Sequence, residues 1–294
     1  MNTFKCNLCP RSCSAIRSDG YNNGGFCKLP SDIIVARAGI HNFEEPSISG
    51  INGSGTVFFS GCQLGCIYCQ NEKISHENFG KSITSKELAD IFKRLEETGV
   101  HNINLVSPTP HTEGILEALS VYKPAIPIVY NSGGYETRDT LLRYKDFVDI
   151  FLLDYKYSDD NMAWEYSQVK NYSKYALESV KTAIELVGKP QYFSDGIMKK
   201  GVIVRHLLLP FGTNNAMGVI DALTPYKDDI VFSLMNQYTV MPKAQNNKKL
   251  HRKVTLREYD KVSEYMISRG FDGYLQSGDS SDKKFIPDFD LSGI

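Results

Sequence analysis

Cysteine is missing from the chain after residue 69, although the chain runs to 294. The later part must therefore be held by an apolar core rather than by disulfides, and the chain is long enough to bury a sizeable one. Long hydrophobic runs are also lacking. No stretch approaches the roughly 18 apolar residues that span a bilayer, and residues 1–5 are not followed by a signal-peptide apolar segment, so a cytoplasmic location is expected. Charge of either sign is scarce in excess: 33 Lys and Arg face 34 Asp and Glu, a net charge of -1. That excludes a global field recruiting nucleic acid or an anionic membrane. A hydrophobic fraction of 41% and a charged fraction of 23% are ordinary for a globular protein.

The seven cysteines that are present fall into two groups. Cys62, Cys66 and Cys69 have C-x3-C-x2-C spacing directly after the apolar run Thr56 to Phe59. Three thiolates so close together are soft ligands suited to an iron–sulfur cluster or zinc. A 4Fe–4S cluster takes a thiolate on each iron, so three local cysteines leave one iron open. The bland alternative is a zinc knuckle or three buried thiols. Cys6, Cys9, Cys13 and Cys27 form the second group, C-x2-C-x3-C-x13-C, with Pro10, Gly20, Gly24 and Gly25 marking turns. So little apolar material makes no core of its own, which predicts a small metal-stapled module holding zinc or a second iron–sulfur cluster. The expected division is residues 1–50 for this module and 51–294 for the main domain.

From residue 56 onward strand-like and helix-like segments alternate. Strands are expected at 56–60, 102–107, 126–132, 149–155, 202–209 and 230–238, with a short seventh at 273–276. Helices are expected at 85–98, 113–122, 136–145, 172–187 and 215–226, and a last one opens at Thr255. Capping boxes, Thr84 with Glu87 and Thr255 with Glu258, open two of them, and Gly99 and Gly270 close them. Apolar strands alternating with amphipathic helices predict an α/β fold with a parallel sheet, and no G-x-G-x-x-G follows the first strand. The favoured architecture is a partial (β/α)6 TIM-like barrel, with an open doubly wound sheet as the rival.

Ligands bind beyond the C-terminal strand ends in either architecture. The strand ends carry the three cysteines, then Ser107 to Thr112, then Asn131 to Tyr135, where paired glycines permit close backbone approach to a ligand. Asp154 and Lys156 follow, two apart and so on one face, either facing a ligand or forming a structural ion pair. Arg205, with His206 beside it in an apolar strand, is suited to a bidentate carboxylate contact, a helix-facing salt bridge being the alternative, and His111 and His206 taken alone read as ordinary satisfied histidines.

Taken together, Cys-Pro-Arg near the N-terminus, Gly-Cys…Cys-Ile-Tyr-Cys-Gln-Asn, Ser-Pro-Thr-Pro-His-Thr, Tyr-Asn-Ser-Gly-Gly-Tyr-Glu, Leu-Leu-Asp-Tyr-Lys-Tyr, Val-Arg-His-Leu-Leu-Leu-Pro and Ser-Leu-Met-Asn-Gln-Tyr resemble the pyruvate formate-lyase activating enzyme-related family of radical S-adenosylmethionine (SAM) proteins, over about residues 5–277. The resemblance implies a 4Fe–4S cluster on Cys62, Cys66 and Cys69 and reductive cleavage of SAM to a 5′-deoxyadenosyl radical. It implies SAM contacts from the Tyr68 backbone, Asn131, Ser132, Asp154, Lys156 and Arg205, with His206 as a further candidate beside Arg205. Many members of the superfamily have Gly-Gly-Glu after the second strand for the SAM amino group. Here Ser107, Thr109 and His111 stand in that loop as the candidates for its role. The implied partners are an electron donor such as flavodoxin or ferredoxin and a substrate that is a glycyl radical enzyme, a peptide or a small molecule. The extra cysteines lie before the SAM motif, unlike those of many glycyl-radical activases, which leaves the substrate open. A non-catalytic metal-binding scaffold is the alternative of a different class.

Overall fold

The computed structural model describes residues 3–276 and 287–294. The chain opens with a small antiparallel sheet of β1 (Phe4–Lys5), β2 (Ile16–Ser18) and β3 (Tyr21–Asn23). Next come β4 (Ile33–His41), α1 (Pro46–Ser49), β5 (Ser54–Phe59), α2 (Glu72–Ser75), β6 (Lys81–Ile83) and α3 (Ser85–Glu97). The middle of the chain holds β7 (Ile103–Val106), α4 (Thr112–Val121), β8 (Ile128–Ser132), α5 (Arg138–Leu142), β9 (Ile150–Asp154), α6 (Asp160–Ser167) and α7 (Tyr172–Val187). The last elements are β10 (Gln191–Tyr192), β11 (Met198–Leu207), α8 (Thr213–Leu223), β12 (Val231–Met235), α9 (Leu256–Ser268) and β13 (Gly273–Leu275).

Strands β5, β7, β8, β9, β11, β12 and β13 pair in that order, each parallel to the next, and β4 and β6 extend the β5 edge antiparallel. The sheet curves without closing its ends on each other among the described residues, which is the partial TIM-like barrel expected from the alternation. Strands β5, β7 and β8 are buried at every position, as a parallel sheet covered on both faces requires. Between sheet and helices runs the main core, built from Phe59, Leu105, Tyr130, Phe151, Val204 and Phe232 against Leu88, Phe92, Ile115, Val180 and Val219. A second cluster, Ile48, Val129, Ile150, Leu152, Met198, Ile203 and Val231, fills one end of the barrel interior beneath α1. Both capping boxes form: the Glu87 carboxylate accepts the Thr84 N–H at 2.7 Å, and Glu258 accepts that of Thr255 at 2.9 Å. No helix among the described residues is long and apolar enough to cross a membrane.

Two differences from the sequence expectation bear on the site. Residues 33–50 do not belong with the cysteine-rich module, because β4 pairs with β5 over His41–Ser54 to Val35–Phe59 and α1 caps the barrel. Ile34, Ala36, Ala38 and Ile40 alternate along β4, but nothing within residues 33–41 marks an antiparallel return onto a parallel sheet, which is set by the pairing with β5. The helix expected over 136–145 shrinks to α5, since Glu136 is drawn inward, with no exposed surface.

Candidate active site

β5 ends at Phe59 and hands the chain to the cysteine loop, whose course is fixed by backbone bonds. Gly61 N–H donates to Ile74 O (2.7 Å), Ile67 N–H to Tyr166 O (2.9 Å) and Cys69 N–H to Cys66 O (3.1 Å). Each sulfur receives at least one donor, from the loop itself, from the end of α6 or from α2. Leu64 N–H points to Cys62 Sγ (3.4 Å), Ser167 Oγ to Cys66 Sγ (3.0 Å) and Ser75 Oγ to Cys69 Sγ (3.2 Å). Such donors favour the thiolate. Burial works against it, pushing the Cys62 thiol up to about 12 with help from its neighbours Cys66 and Cys69, and raising Cys69 as well. The set is chemically a ligand triad that ionises when a cationic group arrives. No three His, Cys, Asp or Glu side chains among the described residues converge on a single ion-sized point. A lone zinc holds thiolates at about 2.3 Å from one centre. A structural zinc takes four protein ligands, whereas a 4Fe–4S cluster with one open iron takes three, so the triad, each sulfur with its own donor, suits the cluster.

The three cysteines line a cavity of about 740 Å³ at the C-terminal ends of the parallel strands. Tyr68, Ser107, Asn131, Ser132, Asp154, Lys156 and Arg205 line it with them, so the strand-end reading brings these together as expected. The size lies within the roughly 300–1,000 Å³ of small-molecule sites. Lys156 Nζ donates to Asp154 Oδ2 (2.5 Å), and Arg205, in register beside Asp154 on β11, donates through Nε to Asp154 Oδ1 (3.0 Å). Burial alone would raise the Asp154 carboxyl, but Lys156 and Arg205 outweigh it and hold it below its usual range. Burial likewise pulls down on Lys156, yet Asp154 and the thiols of Cys66 and Cys69 carry it above the ordinary ammonium value. The pair is thus both an ion pair and part of the cavity wall.

Arg205 does not stand open for a ligand carboxylate. Its remaining donors go to Glu44 Oε2 (3.0 Å) and to Asn131 Oδ1, so its fork is turned on the chain's own acceptors. Three other candidates are not at the cavity. Thr109 is buried in a hydroxyl and carboxyl network, donating to Glu136 Oε2 (2.7 Å) and bonding the Tyr130 hydroxyl (2.9 Å). His111 binds Ser60 O through Nε2 (2.7 Å) beneath the cysteine loop, and burial lowers it to about 4. It therefore does not replace a Gly-Gly-Glu contact. His206 points to the opposite face of β11 from Arg205, bonds Tyr155 O (2.7 Å), and is lowered by burial to about 4. The close approach that Gly134 permits is to Asp154 rather than to a ligand: a Cβ there would lie 2.0 Å from the Asp154 carbonyl oxygen.

Residue patterns alone passed over Glu44, Glu45 and Glu136. The first two sit after β4 and reach the barrel interior, where Glu44 Oε1 accepts from Asn104 (3.1 Å) and Asn131 (3.4 Å). Glu136 accepts from Thr109, from Gln63 Nε2 (2.9 Å) and from Tyr130, and burial raises it to about 7. The adjacent acids at 44 and 45 and the acid after Tyr135 were the available signals.

Cys6, Cys9, Cys13 and Cys27 line a second, small pocket with Arg17, Phe26 and Pro110. Burial raises the Cys9 and Cys27 thiols. This module is fastened to the active-site loops. Arg17, almost fully buried, donates to Pro110 O (2.6 Å) and Pro30 O (2.8 Å), and Arg11 donates to Leu64 O (3.1 Å), Ser167 O (3.0 Å) and Gln63 O. Phe26 covers Gly65, where φ is +65° and a Cβ would meet the ring at 2.9 Å.

Comparison with known proteins agrees with this geometry. The radical SAM superfamily profile matches residues 56–199. An uncharacterized protein of Methanocaldococcus jannaschii is 30% identical over 274 residues, covering 90% of this chain and 75% of the relative. Among solved structures, methylornithine synthase aligns with a TM-score of 0.50 and 13% identity over 74% of this chain. The alignment spans 62% of that enzyme, less than two thirds of its length, and shows a shared fold. Streptococcus suis SuiB, solved with S-adenosylmethionine bound, aligns with a TM-score of 0.49 and 15% identity, covering 76% of this chain and 46% of that one. With a parallel partial barrel, a cysteine triad at its mouth and a matching profile across the first half of the strands, the chain belongs to the radical SAM superfamily and is an enzyme of that class.

Proposed function

We propose that this enzyme binds a 4Fe–4S cluster through Cys62, Cys66 and Cys69 and SAM in the adjoining cavity, and that it abstracts a hydrogen atom from a substrate held deeper in the barrel. The observation that carries the reading is the convergence of three thiols, each with its own hydrogen-bond donor, on a cavity shared with Asp154 and Lys156. When bound, the cluster and SAM supply a 5′-deoxyadenosyl radical at the cost of one electron, which a flavodoxin- or ferredoxin-type donor would deliver. The protein's part is orientation and exclusion of water. Lys156 and Asp154 offer a cation and an anion to the zwitterionic methionine end of SAM, with Asn131, Ser132 and Ser107 beside them, while the Tyr68 backbone borders the loop. Buried tyrosines, Tyr68 bonded to Tyr157 (2.7 Å) and Tyr157 to Ser167 (2.7 Å), wall the cluster side against solvent.

The four N-terminal cysteines hold a separate metal centre in this reading, zinc or a second cluster. A small molecule or a single side chain suits the cavity better than the backbone glycine of a glycyl radical enzyme, because the inner end is lined with carboxylates to which glycine presents nothing. Anaerobic incubation of the reconstituted protein with SAM and dithionite tests the proposal. Formation of 5′-deoxyadenosine is the expected result, and an iron-loaded protein that forms none overturns it.

A further inference from the structure

The inner end of the cavity has more acceptors than the chain has donors for them. β4 runs antiparallel to β5, with His41 opposite Ser54, so Glu44 and Glu45 enter the barrel from the end away from the cysteine loop. There three carboxylates meet two cations. Glu44 and Asp154 each lie 3.0 Å from Arg205, Glu45 Oε2 lies 3.9 Å from it, and Lys156 pairs with Asp154. The third carboxylate has no cation of its own, and burial, with Glu44 beside it, pushes the Glu45 carboxyl up, so a cationic ligand would favour its ionised form. Two buried acceptors also have no hydrogen-bond partner among the described residues, Glu45 Oε2 and Asn104 Oδ1, in residues 7% and 0% exposed. The Asn104 amide is oriented by its own donor, which goes to Glu44 Oε1 (3.1 Å), so its oxygen is the free end. Unpaired buried acceptors beside an uncompensated carboxylate are costly without a ligand that donates and carries positive charge. Water supplies the donors but not the charge.

Resting on the radical SAM reading, we infer that the substrate carries a cationic nitrogen, a primary ammonium or a guanidinium, that seats against Glu45, which lines the inner end of the cavity. The apolar cluster of Ile48, Ile150, Leu152 and Ile203 lies beyond this layer, so the cation ends the substrate rather than opening onto a further polar channel. The thiols line the other end of the same cavity, which places the carbon chain behind the nitrogen toward the site of radical formation. A free amine and a lysine or arginine side chain share this chemistry.

Calorimetry on the anaerobically reconstituted holoenzyme decides it, with butylammonium and butylguanidinium chloride as probes and sodium butyrate as the anionic counterpart. A cation should bind in the millimolar range or better and butyrate should not. Glu45→Gln, which keeps the shape, should weaken the cation by about tenfold or more while SAM affinity, titrated separately, stays within about twofold. Should Glu45→Gln lose its thermal transition, Glu45→Asp is the second variant and should weaken the cation in the same sense. Butyrate binding as well as the cations, no binding by any probe, an unchanged cation affinity in the variants, or displacement of the cation by SAM would each overturn the inference. The titration needs neither SAM nor reductant, so a wild-type protein that binds the cation but forms no 5′-deoxyadenosine strikes the radical reading alone. Butylamine-terminated and lysine-containing peptides then separate the two sources.

Discussion

Arg11 Nη2 donates to the carbonyl oxygen of Leu64 at 3.1 Å, across 53 positions of sequence. The same guanidinium reaches Ser167 O and Gln168 O and lies 3.3 Å over the Phe26 ring, so one side chain ties the N-terminal module, the cysteine loop and the end of α6 together. Leu64 lies between two of the cluster cysteines. Arg11→Ala should therefore loosen the loop without touching a thiol. Charge-assisted hydrogen bonds are worth on the order of 1.5–3 kcal/mol. The expected result is a lower melting temperature and faster iron loss to a chelator, with little rescue by Arg11→Lys, since a point charge does not reproduce the fork. Equal iron-loss rates in wild type and variant would refute this.

Each of Cys62→Ser, Cys66→Ser and Cys69→Ser should abolish SAM cleavage, because each leaves one iron without its thiolate. The folded body rests on the two apolar clusters and should survive, so circular dichroism should stay close to wild type. Undiminished 5′-deoxyadenosine from any one of the three would remove it from the ligand set.

Much of this was legible in the sequence because it is written locally. The cysteine spacing, the two capping boxes and the period of α7 depend on neighbours within a few residues, and all appear where expected. Alternation on β9 and its loop correctly put Asp154 and Lys156 together. What was not legible depends on partners far along the chain. Arg205 looked like an open clamp until Glu44, 161 positions away, took its Nη1 donor. His111 and Thr109 share a loop with Ser107, but a 3₁₀ turn over Thr109–His111 carries them beneath the loop while Ser107 faces the cavity. Glu44 and Glu45 carried no motif, and only the antiparallel return of β4 delivers them to the interior.

Asp154→Ala and Lys156→Ala should not behave alike. Removing Lys156 leaves Asp154 paired with Arg205, whereas removing Asp154 deprives both Lys156 and Arg205 of a partner. Both variants should weaken SAM binding by about ten- to a hundredfold, the worth of one charge-assisted contact. Asp154→Ala should in addition lower stability, by less than the roughly 3–5 kcal/mol of a fully buried pair because its side chain is 21% exposed to the cavity. Unchanged SAM affinity in both would make the pair purely structural.

Glu136 gives a pH prediction. Its folded value is raised by burial from an ordinary 4.5 to about 7, so between those values the folded state holds a proton that the unfolded chain releases. Stability contributed by the neutral carboxyl is complete below about 4.5 and is lost as pH rises toward 7, by on the order of 3 kcal/mol. Glu136→Gln removes this slope. Denaturant unfolding at pH 5 and pH 8 should show the variant gaining on wild type at the higher pH, and parallel profiles would mean that the network keeps Glu136 ionised throughout.

The remaining prediction concerns the second group of cysteines. Cys6, Cys9, Cys13 and Cys27 ring one pocket, four thiols make a complete ligand set, and a complete set leaves no open position for SAM. Deleting the module before Ile33 would be a poor test, because Leu29 packs on Gly61 and Arg11 and Arg17 grip the active-site loops, so the deletion would disturb the SAM cluster as well. Cys9→Ser and Cys27→Ser change the donor set and leave those contacts in place. Metal analysis of each variant should show a loss confined to one centre: about four irons for a second cluster, or one zinc for a structural site. The SAM-cluster irons should remain, and with them 5′-deoxyadenosine formation if the centre is structural. If the centre passes electrons inward through the Arg11 and Gln63 contacts, turnover with a protein donor should fall while turnover with dithionite persists. An unchanged metal content in both variants would refute a metal centre at these cysteines.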